Sequence, residues 1–163
     1  MAKRSGADSS GIHLWLVLWK AERALEKHAI HSIEAAGMCR SDFGVLEALL
    51  HKGPLPVNAL GAKVLLTSGS ITTAIDRLER RGLVERGGDA TDRRARIVHL
   101  TAAGRKLIHN LFAKHEQAME KAASALAPQE RVTLTGLLRK LGRGAEEMFE
   151  QGRTEERRRR SGD

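Results

Sequence analysis

Between Thr67 and Gly82 the chain reads TSGSITTAIDRLERRG, and spacing divides its side chains into two sets. Ile71, Ala74, Ile75 and Leu78 recur at helical spacing and share one face. The opposite face begins with Ser68, Gly69, Ser70, Thr72 and Thr73 and continues to Arg77 and Arg80. Small hydroxyl side chains let a helix N-terminus come close to a polyanion and bond to phosphates or base edges. The chemistry on offer is non-covalent reading of a duplex, with Ser68, Ser70, Thr72, Thr73 and Arg77 as the contact set. Thr67 or Ser68 also suits the cap of this helix. Arg77 has Asp76 and Glu79 nearby for simple surface pairing, so part of the set can serve the helix alone.

The neighbouring elements fit that chemistry. Val57, Leu60 and Val64 form a short apolar-periodic segment, and Leu65-Leu66-Thr67 breaks it before the second helix. Two short helices joined by a few residues make a helix-turn-helix, whose second helix enters the major groove. Gly82 ends that helix. Leu83–Arg86 and Arg96–Leu100 read as two strands, with the basic segment from Gly87 to Ala95 as their hairpin tip. This is a winged helix. Arg93, Arg94 and Arg96 add positive charge at the wing, and Asp92 has the wrong sign for a phosphate contact. It suits holding an arginine in position or fixing the turn.

The segment LTSGSITTAIDRLERRGLVER, the pair Asp92-x-Arg94 and the exit Leu100-Thr101-x-x-Gly104 together resemble the MarR family of bacterial transcription regulators. The likeness runs from about Leu14 to Leu141, and FGVLEALLHKGPLPVNALGAKVLLTSGSIT is similar to the branch that responds to quinones and phenolic compounds. The resemblance implies a mainly α protein: a winged helix-turn-helix flanked by N- and C-terminal dimerisation helices. It assigns wing roles to Asp92 and Arg94, with Arg94 expected in the minor groove, where a narrow groove concentrates negative potential. It also implies a repressor released by a small phenolic, quinone-like or lipophilic ligand. His13, Trp15, Trp19, Met38 and Phe43 could hold such an aromatic effector, or equally form dimer core.

The rest of the chain sets bounds. A net charge of +8 and a pI near 10.2 favour a polyanionic partner. Residues 1–11 are polar and expected to be disordered; 12–150 read as a single domain. Within it, 41–101 form the winged helix, while 12–36 and 102–150 form long helices with more apolar stripe than one winged helix can cover. That surplus calls for a second copy, and a two-fold dimer reads a pseudo-palindromic operator. Residues 151–163 read as a basic flexible tail.

No apolar run is long enough to span a membrane and no secretory signal is visible, which points to the cytoplasm. The lone Cys39 lies beside Arg40, which can lower a thiol pKa, so a thiol-sensing regulator is one alternative. A winged helix that binds another protein is a second, although Ser, Thr and Arg replace the large apolar anchors such a face needs. His28-x-x-His31 has helical spacing but no completing thiol or carboxylate, so neither metal nor other cofactor is expected. With no Gly-rich phosphate loop and no nucleophile–base pair, an enzyme is not expected either.

Overall fold

A computed structural model describes residues 9–88 and 96–160. The chain divides into two compact units, Met1–Ala122 and Ala123–Asp163, where the sequence alone suggested one domain over 12–150.

In the first unit, Ser10 caps α1 (Gly11–Glu34) by accepting from the His13 amide at 3.2 Å. α2 (Arg40–Lys52) lies at the centre. It buries Phe43, Val45, Leu46 and Leu49, each removing enough apolar area to favour folding by about 1.5–3 kcal/mol. Gly53, at φ 75°, ends it in a conformation that a side chain would disfavour.

Leu55–Pro56 form β1, a two-residue strand too short for any alternation in the sequence to reveal. It pairs antiparallel with β3 (Arg96–Leu100), Leu55 opposite Val98, and so occupies a sheet edge where a proline is tolerated. The other neighbour of β3 is β2 (Val84–Gly88), giving the order β1-β3-β2. β2 thus runs two residues into the segment assigned from sequence to the hairpin tip. Gly88 pairs with Arg96 across the ladder.

The helix-turn-helix is α3 (Val57–Lys63) and α4 (Ser68–Arg80). They approach closely at Gly61, where an added Cβ would sit 3.4 Å from both Ile71 Cγ2 and the Leu66 carbonyl oxygen. Beyond α4 the Leu83 amide bonds to the Leu78 carbonyl and the Gly82 amide to that of Glu79, with Gly82 at φ 65°. This six-to-one closure turns the chain directly into β2.

α5 (Ala102–Ala122) starts against that closure. Thr101 donates its hydroxyl proton to the Gly82 carbonyl at 2.7 Å and accepts from the Gly104 amide at 3.0 Å. The Leu83 carbonyl oxygen would lie 1.9 Å from a Cβ on Gly104, so only glycine fits there. The Thr-x-x-Gly exit of the sequence is therefore the joint that fixes α5 to the end of α4. Ile108 and Leu111 of α5 complete the core with Leu60, Ile71, Ile75, Leu78 and Val98.

The second unit is α6 (Pro128–Arg160), 33 residues long. The tail expected to be flexible from residue 151 continues as helix through Arg160. The reason is local. Glu150 accepts from Arg153, the Thr154 hydroxyl donates to the Glu150 carbonyl, and a run of arginines in the last turn suits the negative end of the helix dipole.

Candidate nucleic-acid interface

α4 is capped by Thr67, whose hydroxyl accepts from the Ser70 amide at 3.3 Å, and Ile71, Ala74, Ile75 and Leu78 are buried as their spacing requires. Ser68, Ser70, Thr72 and Thr73 are all exposed on the other side. The Thr72 and Thr73 hydroxyls donate back to the Ser68 and Gly69 carbonyls at 2.9 and 3.0 Å. Their protons are thus spent within the helix, and their oxygens remain as outward acceptors.

Arg77 is placed differently from the expectation of a surface side chain beside Asp76 and Glu79. Its Nε donates to both carboxylate oxygens of Asp42, at 3.0 and 2.8 Å, and its Nη2 donates to Asp42 Oδ1 at 2.5 Å and Ser41 Oγ at 3.1 Å. Asp42 is 1% exposed, and Arg81 stands 3.7 Å from its other oxygen. The hydrogen bonds to Asp42 hold the Arg77 guanidinium more firmly protonated than usual. Arg77 therefore ties the recognition helix to the first turn of α2. Asp76 and Glu79 are taken instead by Arg86, which bonds to both. Of the central cationic cluster, Arg77, Arg81 and Arg86 are thus engaged within the protein.

A groove separates α2 from the outer face of α4, lined by Ser41, Thr67, Gly69, Ser70, Thr73 and Arg77. In the sequence Ser41 reads only as the opening of α2, with no signal for this face. It reaches this groove only because α2 packs across α4. Arg96 is exposed at the start of β3. Asp92, Arg93 and Arg94 lie outside the described residues.

The five side chains proposed for an effector do not gather. Only Phe43 lines the large open cavity of about 790 Å³ beside α2. Met38 is buried in the core, whereas Trp15 is 58% exposed and Trp19 is also exposed on α1, with His13. The cavity takes its other walls from Ile33, Val64 and Leu66 and its polar groups from Arg40, Lys63 and His115, among others. Sequence reasoning missed His115 because its partners come from distant helices. Its ring packs 4.9 Å from Phe43, and its Nδ1 is 2.7 Å from Ser32 Oγ.

Cys39 is exposed, and its neighbour is not Arg40, which pairs with Glu26 at 2.5 Å. Arg77 Nη2 donates to its sulfur at 3.3 Å. Among the described residues no group of three or more His, Cys, Asp or Glu could hold a metal ion.

Comparison with known proteins agrees with this geometry. The profile of the MarR family matches residues 36–95. The chain is 35% identical over 136 residues to the HTH-type transcriptional regulator MhqR of Bacillus subtilis (strain 168), covering 83% of this chain and 94% of that one. Among solved structures, Bordetella bronchiseptica BpsR, described with regulation of its DNA binding by 6-hydroxynicotinic acid, is 27% identical. It has a TM-score of 0.70 and covers 80% of this chain and 98% of its own. Streptomyces coelicolor Sco3205, a MarR family regulator solved in complex with DNA, shares the fold at a TM-score of 0.73 and 24% identity, covering 86% of this chain and 94% of its own. With its helix-turn-helix, three-stranded wing sheet and Thr101–Gly104 joint, the chain belongs to the MarR family of winged helix-turn-helix transcriptional regulators.

Proposed function

We propose that this regulator is a homodimeric, sequence-specific DNA-binding repressor that leaves its operator when a small aromatic ligand occupies the cavity beside α2. The observation that carries the DNA reading is the outward face of α4. It offers Ser68, Ser70, Thr72 and Thr73 as small exposed acceptors and donors, while every apolar residue of the helix is buried. Such a face fits a major groove and offers a protein partner no anchor. Arg94 is the minor-groove residue that the family resemblance assigns, with Asp92 positioning it and Arg93 and Arg96 contacting phosphates.

The dimer reading rests on α1, whose Leu14, Trp15, Leu16, Val17 and Trp19 are exposed together. Large apolar side chains gathered at one exposed helix suit an interface. An aromatic carboxylate or phenolate suits the cavity, because the Phe43 and His115 rings line it and Lys52 and Lys63 bring two cations to its wall against the one carboxylate of Glu47, with Arg40 already paired to Glu26.

A gel shift with the DNA flanking the protein's own gene tests the reading. A discrete complex that scrambled DNA does not compete is expected, along with its release by 6-hydroxynicotinic acid or a simple phenol. Equal affinity for scrambled DNA would overturn sequence-specific reading. The thiol alternative has one observation in its favour, the contact between Cys39 and Arg77. If it holds, Cys39→Ser should abolish release by diamide and leave release by aromatic ligands intact.

A further inference from the structure

Ser32 of α1 and His115 of α5 meet side chain to side chain, with Ser32 Oγ 2.7 Å from His115 Nδ1. Only one of the two atoms can supply the proton between them. The Ser32 hydroxyl already donates to the Ala29 carbonyl at 2.8 Å, one turn back along α1. A serine hydroxyl has a single proton and two lone pairs, so toward the ring Ser32 accepts. Nδ1 therefore carries the hydrogen. A neutral imidazole has one N–H, which leaves Nε2 as a bare acceptor.

The ring is also held in place. It packs 4.9 Å from Phe43 at 57° and 6.5 Å from Phe112. Nε2 makes no hydrogen bond among the described residues. None of their buried side-chain polar atoms lacks a partner, and His115 is only half-buried, so Nε2 is reachable from outside. His115 and Phe43 both stand in the wall of the 790 Å³ cavity beside α2.

We infer that His115 Nε2 selects the ligand of this cavity by accepting the proton of a ring hydroxyl, with Ser32 as the positioning residue that fixes the tautomer. The inference rests on the aromatic-ligand reading above and names the residue that discriminates between such ligands. A ring hydroxyl donates to Nε2 while its ring lies against Phe43. An aromatic ether or carbonyl sets lone pair against lone pair and leaves Nε2 without a partner once water is displaced. Lys52 and Lys63 make no such choice. Their ammonium groups only donate, so they favour any acceptor on the ligand.

Calorimetric titration of the full chain at about pH 8, where imidazole is ordinarily neutral, tests this with β-naphthol and its methyl ether. The two differ by the donor alone at the oxygen. Wild-type protein should bind β-naphthol about tenfold more tightly. His115→Phe keeps a ring against Phe43 and removes the acceptor, so it should bind both compounds alike. Ser32→Ala frees the ring to carry its hydrogen on Nε2, so the preference should shrink because the ether gains affinity. A merely structural role for Ser32 would weaken both compounds equally, and that result would overturn its assignment. A preference that survives in His115→Phe would give the selection to Glu47 or His51 in the same wall and overturn the inference. The wild-type comparison needs no variant to fold. Equal binding of the two compounds sinks the inference alone, whereas binding of neither sinks the aromatic-ligand reading with it.

Discussion

Arg77 and Thr73 sit one helical turn apart on α4 and line the same groove, yet their bonding within the protein differs. Thr73 is exposed and bonded only within its own helix. Thr73→Ala should leave urea stability within about 0.5 kcal/mol and change base preference at one operator position by roughly 1–3 kcal/mol. Arg77→Ala removes the principal partner of a carboxylate that is 1% exposed. Losing one member of a fully buried pair costs about 3–5 kcal/mol. Here the arginine side chain is 38% exposed and Arg81 lies within 3.7 Å of Asp42, so a loss of about 1–3 kcal/mol is expected. Urea denaturation of the two variants checks this, and equal stability would show that the Asp42 clamp contributes nothing. Asp42→Asn with Arg77 intact should also loosen α4, while retaining its exposed hydroxyl face.

The joint between α4, β2 and α5 fixes the end of α4 against the start of β2 and of α5. Thr101 satisfies the Gly82 carbonyl and the Gly104 amide at once, and the missing side chain of Gly104 lets α5 lie against Leu83. Gly104→Ala would place a methyl group 1.9 Å from a backbone oxygen, so the helix start must move. Overpacking of this kind costs about 1–3 kcal/mol. The displaced joint should also lower operator affinity, although no DNA-facing side chain is altered. Thr101→Val should lose two hydrogen bonds and cost about 1–2 kcal/mol without that clash. Thermal melts beside anisotropy titrations of both variants distinguish displacement from lost bonding. Unchanged affinity in Gly104→Ala would show that the joint does not set the wing.

For the whole molecule, the count of basic residues overstates the surface open to phosphate. The chain has 28 Lys and Arg, but Arg77, Arg81 and Arg86 face Asp42, Asp76 and Glu79, pairs already cancelled within the net charge of +8. Log affinity for the operator should fall with log salt by about 0.9 for each phosphate contacted. Arg96→Ala should make that slope shallower by about 0.9, whereas Arg86→Ala should leave the slope alone and reduce stability. A shallower slope in Arg86→Ala would place it on the DNA. Assembly is tested on α1. Trp19 is about half exposed in a single copy, so Trp19→Asp should keep the protomer folded by circular dichroism. It should yield a monomer by light scattering and abolish tight operator binding.

The winged helix was legible in the sequence because its signals are local. The apolar stripe of α4, the hydroxyl at Thr67, the glycine at 82 and the Thr101–Gly104 exit each lie within a few residues of the bonds they make. Periodicity likewise exposed the long outer helices. β1 escaped notice because two residues carry no period, and Leu55 and Pro56 become a strand only by pairing with β3. The fates of the charged residues were decided by packing. Arg77 had two acidic neighbours in sequence, but helix geometry aimed it across to Asp42, 35 positions away. The cavity, too, belongs to the tertiary structure: Phe43 meets His115 because α2 and α5 cross, and Trp15 and Trp19 stay outside. Sequence spacing fixes which side chains share one helix face. Which faces meet, and which charges cancel there, depends on how the helices pack.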